Sequence, residues 1–246
     1  MAEINGWNYL FHETLGSTND EAQKYCLVPN RKTIVRAETQ TSGRGRRGRK
    51  WISDKGNLFF SMALEFELKN IGSLVLISAL SIAQTLEELD NTQDIKLKWP
   101  NDVLLNRKKV SGILIEKGNG NYMIVGIGIN IVSSPDDKDL IYPTTSLAQC
   151  KINCTADEFL NRFMIKFEQN LSLVQQNKKD YLQNEWLQRA SNLGKEILVH
   201  GEKKDETGFF AGIDENMCLL LKQNNQIKKI MVGDVFFIKD DNYAGI

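Results

Sequence analysis

The sequence predicts an α+β fold in which helices cover a mixed or antiparallel sheet and a small β-rich domain follows. Short strand-like runs crowd the middle of the chain, two long stretches carry apolar residues at helical spacing, and short β runs replace them after Asn192. The 246 residues suffice for a large domain and a small one. We therefore expect one domain over residues 1–192 and a small β-barrel over residues 193–246.

A capping box predicts the first helix. Thr18 and Glu21 fit the S/T-x-x-E pattern, in which the two side chains satisfy free backbone N–H groups at a helix start. The predicted helix covers residues 19–27, and Pro29 and Asn30 end it. The short stretch before Ser17 is expected to hold about one strand.

The middle of the chain changes between the strand period and the helix period. β-Branched residues at 33–37 and a two-residue alternation within 58–68 each predict a strand, whereas the apolar stripe over 73–89 predicts a helix. Four short strand-like runs follow, separated by turn residues: 95–99, 103–105, 110–116 and 122–131. Runs so closely spaced predict a mixed or antiparallel sheet.

A second capping box, from Thr155 to Glu158, predicts a helix in which Phe159, Phe163 and Phe167 recur every four residues. A further helical region covers 181–189. The remaining strand-like runs are 197–199, 208–213, 218–221, 227–232 and 235–238.

Composition describes an ordinary globular protein, with 41% hydrophobic residues, 25% charged residues and a net charge of zero. The longest apolar run, 74–80, is far shorter than the ~20 residues of a membrane span, and no signal peptide is recognisable. We therefore expect a cytoplasmic protein. Four cysteines without a CxxC pair and only two histidines argue against a disulfide scaffold, a zinc site and a Ser-His-Asp triad.

The basic loop, residues 43–51, is the most unusual stretch, because three glycines stand there among five basic residues. Such crowded charge costs stability unless an anion neutralises it. The glycines match G-x-G-x-x-G, but a dinucleotide site requires a strand directly before them and a helix directly after, and neither flank fits. The P-loop pattern does not match either. A nucleic-acid-binding segment and a solvated turn stay open on these residues alone, although the zero net charge argues against the first.

Two further blocks decide between these interpretations. They are KWPND at 98–102 with KVSGI at 109–113, and GIGIN at 126–130. In this order, with Ser17, Thr18, Asn19 and Gln40, the three blocks resemble the catalytic domain of biotin–protein ligases, also called biotin–[acetyl-CoA-carboxylase] ligases. The resemblance runs from about Ser17 to Asn130, and the tail from residue 193 is similar to the family's SH3-like C-terminal domain.

The resemblance implies a sheet of the class II synthetase type and a two-step reaction. Biotin and Mg-ATP would form biotinyl-5′-adenylate and pyrophosphate, and a lysine of a biotin carboxyl carrier protein or domain, from acetyl-CoA carboxylase or a related carboxylase, would then attack the adenylate. The first step sets a carboxylate against a phosphate, so dense positive charge is needed. Mg²⁺ would enter with ATP, and no metal site in the protein itself is expected.

The resemblance also implies roles for individual residues. It implies biotin contacts for Ser17, Thr18, Asn19, Gln40, Arg44, Gly45, Arg46, Lys109 and Gly112. It implies ATP contacts for Arg46, Trp51, Asn101, Asp102, Lys109 and Asn130. Arg46 and Lys109 are the expected catalytic residues; composition does not separate Lys109 from Lys108, but the offset to Gly112 selects Lys109. For Thr18 the helix cap and the biotin contact are compatible.

Four further expectations concern the substrate, DNA and membrane binding, the oligomeric state and the basic loop. A lipoate–protein ligase is the nearest rival, and the GRGRRGRKW loop favours biotin. The short lead before Ser17 leaves no room for a helix-turn-helix, so we expect a monofunctional ligase that binds neither DNA nor a membrane. Both a monomer and a homodimer fit the sequence. The basic loop is expected to be a lid that orders when biotin or its adenylate supplies negative charge.

Overall fold

The computed structural model describes residues 2–27, 31–135, 142–201, 204–231 and 233–237. Eight strands pair in one sheet: β1 (Ala2–Ile4), β2 (Trp7–Leu15), β3 (Thr33–Gln40), β4 (Leu58–Glu65), β5 (Ile95–Lys98), β6 (Asp102–Leu105), β7 (Lys108–Lys117) and β8 (Tyr122–Ile129). Their order across the sheet is β1-β2-β3-β4-β8-β7-β6-β5. β2 and β3 are parallel and the other neighbours are antiparallel, which confirms the predicted mixed sheet.

Helices cover both faces of this sheet. The described residues form four α-helices: α1 (Thr18–Gln23), α2 (Ile71–Leu89), α3 (Ala156–Gln175) and α4 (Lys179–Gln188). Side chains alternate between the faces, so Ile34 and Met62 join the large core under α2 and α3, whereas Val35 and Ala63 pack with Ala22 of α1. The predicted α+β class is confirmed.

Aromatic residues of α3 form part of the large core. Phe163 meets Phe60 of β4 edge-on at 5.3 Å between centroids and stacks with Phe167 at 5.7 Å. All three rings are fully buried. The four-residue spacing that predicted this helix therefore marks its core-facing side.

The helical stretch Leu68–Leu89 is long and apolar enough, with a mean hydropathy of 1.2, to pass as a membrane span by length and composition. Within the ranges that the structure describes it is the one such helix, and 72% of its most apolar window is buried inside the protein. Because its apolar side chains pack on the sheet and on α3, we interpret it as a core helix.

The two predicted capping boxes have different outcomes. Thr155 caps α3 as predicted, since its Oγ1 accepts a hydrogen bond from the Glu158 N–H at 3.1 Å. The box at Thr18 is wrong: Ser17 is the N-cap residue of α1 and makes no side-chain cap bond, while the Thr18 hydroxyl donates to Gln40 instead. After α1 the chain continues as a 3-10 helix over Lys24–Leu27. The predicted breakers Pro29 and Asn30 lie outside the described residues.

The start of the chain also differs from expectation, because two strands, β1 and β2, stand where about one was expected. They pair with each other through the register Ile4 to Trp7. The turn between them contains Asn5 and Gly6, both with positive φ, which permits this short connection.

A second, antiparallel sheet follows: β9 (Glu196–His200), β10 (Asp205–Ile213), β11 (Leu219–Gln223), β12 (Gln226–Ile230) and β13 (Asp234–Phe237). Its order is β12-β11-β10-β9-β13, so β12 and β13 are the edges within the described part of the chain. The predicted β-rich region after the helices is thereby confirmed as an antiparallel sheet, while its closure into a barrel stays a prediction. Two predicted strand ends, Val232 and Ile238, lie outside the described residues.

Hydrogen bonds join this C-terminal sheet to the rest of the protein. Trp99 Nε1 donates to the Met217 carbonyl at 2.7 Å, and Gln183 Nε2 donates to the Ile213 carbonyl at 2.5 Å. The two regions also share one apolar core. A domain boundary at residue 192 stays a prediction.

Candidate active site

One cavity of about 440 Å³ lies between the basic loop and the glycine-containing strands β7 and β8. Every residue predicted for the site lines it: Ser17, Thr18, Asn19, Gln40, Arg44, Gly45, Arg46, Trp51, Asn101, Asp102, Lys109, Gly112 and Asn130. The fold therefore brings together motifs that are widely separated along the chain. Their roles toward ligands stay predictions.

A hydrogen-bond network fixes the start of α1 in the cavity wall. The Thr18 N–H and hydroxyl both donate to Gln40 Oε1, at 2.8 and 3.1 Å, and Gln40 Nε2 donates to Ser53 Oγ at 3.1 Å. Ser61, fully buried on β4, lies 2.7 Å from Thr18 Oγ1. Because these bonds hold the amide of Gln40, the polar groups of Thr18 and Gln40 are preorganised.

Asn19 is held on both sides of its amide. Its Oδ1 accepts from Ser61 Oγ at 2.5 Å, and its Nδ2 donates to Glu116 Oε2 at 2.6 Å. A Cβ at Gly126 would collide with Oδ1, so only glycine at that position lets the amide lie against β8. This accounts for one glycine of the GIGIN block.

Arg44 pairs with two carboxylates. Its Nη2 donates to Glu116 Oε2 at 2.9 Å and to Asp20 Oδ1 at 2.7 Å. In addition, Nε donates to Glu116 and Nη1 donates to Asp20. The hydrogen bonds to Asp20, then those to Glu116, raise the pKa of Arg44 above its ordinary value. Asn19 and Arg44 thus share Glu116 as their partner.

The basic loop folds back on itself as a narrow turn. The Gly45 N–H donates to the Arg49 carbonyl at 2.7 Å, and the Trp51 N–H donates to the Gly43 carbonyl at 2.9 Å. A Cβ at Gly43 would lie 2.7 Å from the Trp51 carbonyl oxygen, so the two ends of the loop approach closely only because residue 43 is glycine. Arg47 has φ of 56°, in the left-handed region.

Arg46 reaches from this loop toward KWPND. Its Nη1 donates to Asn101 Oδ1 at 3.2 Å, and Asn101 Nδ2 donates to the Ile113 carbonyl at 2.7 Å. Burial, the largest cause, lowers the pKa of Arg46 below its ordinary value, although Asp234 and Asp102 attract its charge. Arginine stays protonated regardless, so Arg46 brings a partly desolvated positive charge to the cavity.

Lys109 lies in the cavity and its neighbour Lys108 is exposed to solvent. The Nζ of Lys109 is 2.7 Å from Asp102 Oδ1 and 5.3 Å from the centroid of a Trp51 ring. The placement agrees with the choice of Lys109 over Lys108. An ammonium group held in this way is already positioned to contact an anionic oxygen of a ligand.

Gly112 of β7 and Gly128 of β8 are directly paired and form a floor without side chains. The Trp51 indole lies on this floor: a Cβ at Gly128 would be 2.6 Å from its Nε1, and one at Gly112 would be 2.9 Å from its Cζ3. Nε1 is buried and has no hydrogen-bond partner among the described residues. The glycine pair therefore creates the space that the indole occupies.

Asn130 is almost fully buried at the end of GIGIN. Its Nδ2 donates to the Thr145 carbonyl at 3.0 Å, and its carbonyl accepts from the Leu147 N–H at 3.0 Å. Asn130 thus holds the segment that follows residue 142 against the sheet, in addition to lining the cavity.

Lys98, the first residue of KWPND, received no role of its own from the sequence, and it is buried beside the site with 4% of its surface exposed. Its Nζ is 2.8 Å from the ring centroid of Tyr142, which donates to the Val235 carbonyl at 2.7 Å. Burial lowers the pKa of Lys98 to about 7. A buried lysine with a lowered pKa thus lies near Lys109 and Asp102.

No cluster of three or more metal-ligating side chains occurs in the residues that the structure describes. The cavity instead carries positive charge from Arg44, Arg46, Arg49, Lys50 and Lys109. Such a lining suits a phosphate or carboxylate ligand.

Comparison with known proteins agrees with this chemistry. The model of the biotin/lipoate A/B protein ligase family matches residues 13–130. A biotin–[acetyl-CoA-carboxylase] ligase of Paracoccus denitrificans is 31% identical over 90% of this chain and 97% of its own. The chain belongs to this family. The bifunctional ligase/repressor BirA of Bacillus subtilis (strain 168) is 32% identical over 95% of this chain and 75% of its own.

A solved structure shows that the fold of this chain also matches the family. The biotin protein ligase from Aquifex aeolicus, in complex with biotin and ATP, aligns with a TM-score of 0.81 and 32% identity over 93% of this chain and 97% of that one. The expected family and fold are confirmed.

Sequence reasoning missed several residues that hold the predicted ones in place. They are Asp20, Ser61, Glu116 and Asp234. Each acts through contacts distant in sequence, and none belongs to a recognisable motif. Glu116 and Ser61 look like ordinary strand residues, so only the three-dimensional neighbours reveal their importance.

Proposed function

We propose that this protein activates biotin with ATP and transfers the biotinyl group to a lysine of a biotin carboxyl carrier protein or domain. The observation that carries this function is that Lys109, Arg46 and Trp51 meet the Ser17–Gln40 network in one cavity. Positive charge suited to a reacting carboxylate and phosphate thus adjoins a preorganised polar wall suited to a neutral ring system.

In the first step a carboxylate oxygen of biotin attacks the α-phosphorus of Mg-ATP, and pyrophosphate leaves. Both reactants are anionic, so the step requires fixed cations. We assign Lys109 to the biotin carboxylate and α-phosphate, and Arg46 to retention of the adenylate. Asp102 supports this role for Lys109, because its carboxylate holds the ammonium at 2.7 Å. Mg²⁺ enters as part of the nucleotide substrate.

In the second step the neutral amine of the acceptor lysine attacks the acyl carbon of the mixed anhydride. AMP leaves with the bonding electrons, an amide forms, and the amine loses a proton to solvent. Ordered cavity walls that exclude water before the acceptor arrives would limit hydrolysis of the adenylate.

We assign the Ser17, Thr18, Asn19 and Gln40 wall to the ureido ring of biotin, with Arg44 and Gly45 closing over it. The network supports this assignment because several of its polar groups have fixed orientations. Trp51, Asn101 and Asn130 are assigned to ATP. Zero net charge and the buried apolar helix fit a cytoplasmic protein that binds neither DNA nor a membrane, as a monomer or a homodimer.

Biotin-dependent exchange of labelled pyrophosphate into ATP tests the first step, with lipoate as the competing substrate. We expect exchange with biotin and none above background with lipoate. Exchange supported by lipoate and not by biotin would overturn the proposal in favour of a lipoate ligase.

A further inference from the structure

Asp234, the first residue of β13, meets three arginines of the basic loop. Its carboxylate lies 3.3 Å from Arg46 Nη1, 3.4 Å from Arg47 Nη1 and 3.2 Å from Arg49 Nη2. The loop and the C-terminal sheet are separated by almost two hundred residues of sequence. A single acidic side chain therefore connects the loop to the other sheet.

Neighbouring backbone groups reinforce this contact. The Gly233 carbonyl accepts from Arg46 at 3.3 Å, and the His200 carbonyl accepts from Arg47 at 3.2 Å. The Asp234 side chain is only 13% exposed, so these charge-assisted bonds are screened less than ordinary surface ion pairs.

Charge balance shows why this contact does not close the cavity to ligands. Three guanidinium groups share one carboxylate, which leaves an excess of positive charge on the loop. Arg46 and Arg49 line the cavity and Arg47 does not. Arg46 also donates to Asn101, whereas Arg49 Nη2 contacts both carboxylate oxygens of Asp234, at 3.2 and 3.3 Å. An incoming phosphate can therefore attract Arg46 while Arg47 and Arg49 stay on Asp234.

The contact is not needed simply to attach the C-terminal sheet. That attachment already uses Trp99 with Met217 and Gln183 with Ile213, and none of these residues belongs to the loop. Asp234 instead directs its carboxylate to the arginines. Asp234 is therefore placed to fix the position of the basic loop relative to the cavity.

We propose that Asp234 is a positioning residue that anchors the basic loop over the cavity, so that the C-terminal sheet helps to retain the adenylate. The proposal rests on the proposed function for its role in adenylate retention, but the anchoring itself does not. Arg47 and Arg49 form the anchor, and Arg46 is the arginine that exchanges between Asp234 and the ligand.

Limited trypsin digestion tests the anchor without substrates, because the loop offers cleavable arginines. In Asp234→Asn we expect cleavage after Arg47 or Arg49 to be about tenfold faster than in the wild type, since the open population rises when charge-assisted bonds are lost. The matched control is Glu206→Gln, which removes another carboxylate of the C-terminal sheet, paired with Lys228 at 2.5 Å. It should be cleaved like the wild type. Equal loop cleavage in Asp234→Asn and the wild type would overturn the proposal.

A double-mutant cycle separates anchoring from a general loss of stability. Cleavage after Arg49 is the readout of the cycle, because Arg47→Gln removes the other cleavage site. Arg47→Gln removes the same link without altering the C-terminal sheet, so it should also accelerate cleavage after Arg49, and combining it with Asp234→Asn should add less than the two single effects. Additive effects would contradict the direct link. Asp234→Glu should restore protection, and failure of this restoration would also count against the carboxylate as the anchor.

Kinetics then test the role in the reaction. In Asp234→Asn we expect bound biotinyl-adenylate to dissociate about tenfold faster and KM for ATP to rise, with kcat for adenylate formation within about twofold. Unchanged adenylate retention would overturn the role in retention even if loop cleavage accelerates. If the wild type formed no adenylate, the proposed function would fail, while the trypsin result would still decide on the anchor.

Discussion

Replacing Gly128 by alanine tests the floor on which Trp51 lies. The φ of Gly128 is outside the positive region, so the backbone accepts alanine and the cost is steric. The added methyl would lie 2.6 Å from two atoms of the indole and closer still to a third, which real Cβ atoms essentially never show. The ring or β8 must therefore move.

The magnitude follows from this overlap. Forcing one methyl group into a packed site typically costs about 1–3 kcal/mol. If Trp51 contacts ATP as proposed, that cost corresponds to a KM for ATP raised by about 5- to 150-fold, with a smaller change in KM for biotin. The glycine pair thereby links a backbone feature to nucleotide affinity.

Pyrophosphate exchange at varied ATP measures the effect. Gly16→Ala is the control, because nothing lies within 4 Å of its added methyl and its φ is not positive. Gly128→Ala should have little further effect in a Trp51→Ala background, since the steric partner is then absent. A KM for ATP within twofold of the wild type in Gly128→Ala, in folded protein, would refute the reasoning.

Three further predictions concern charged residues. Lys109→Ala should reduce adenylate formation by at least about 100-fold in single-turnover assays, because a fixed cation at the reacting groups is lost, whereas Lys108→Ala should stay within about twofold; undiminished adenylate formation in Lys109→Ala would show that the assigned role is wrong. Glu116→Gln removes the charge that holds Arg44 and should raise KM for biotin about tenfold, and an unchanged KM in the same exchange assay would argue against that support. Burial lowers the pKa of Lys98 from its usual 10.5 to about 7, so the folded state binds this proton less tightly than the unfolded chain. The cost of burying the charge is therefore complete below about pH 7 and declines as pH rises toward about 10. Urea unfolding should show Lys98→Met gaining most stability over the wild type at low pH, and a gain independent of pH would contradict the lowered pKa.

The sequence predicted the elements that depend on local pattern and the residues that belong to motifs. The helix α2 follows from an apolar stripe, and Lys109 from its offset to Gly112. Identical local patterns nevertheless gave different results at Thr155 and Thr18, because α1 begins one residue earlier than predicted, with Ser17 as its N-cap, and the Thr18 N–H and hydroxyl both donate to Gln40 of β3. Contacts between α1 and β3, which local sequence does not reveal, thus determine the hydrogen bonds of Thr18.

The supporting residues could not be predicted for the same reason. Glu116 becomes significant only when β7 brings it beside Asn19 and Arg44. Asp234 becomes significant only when the second sheet docks beside the basic loop. The concentration of arginines did predict an anion partner, and the structure adds an internal carboxylate that shares them.

Intact-mass analysis of a biotin carboxyl carrier domain, incubated with this protein, biotin and Mg-ATP, tests the central claim most directly. The account predicts a mass gain of one biotinyl group on the acceptor lysine, absent without ATP and absent when that lysine is replaced by arginine. An unmodified carrier domain, or modification by lipoate and not by biotin, would contradict it.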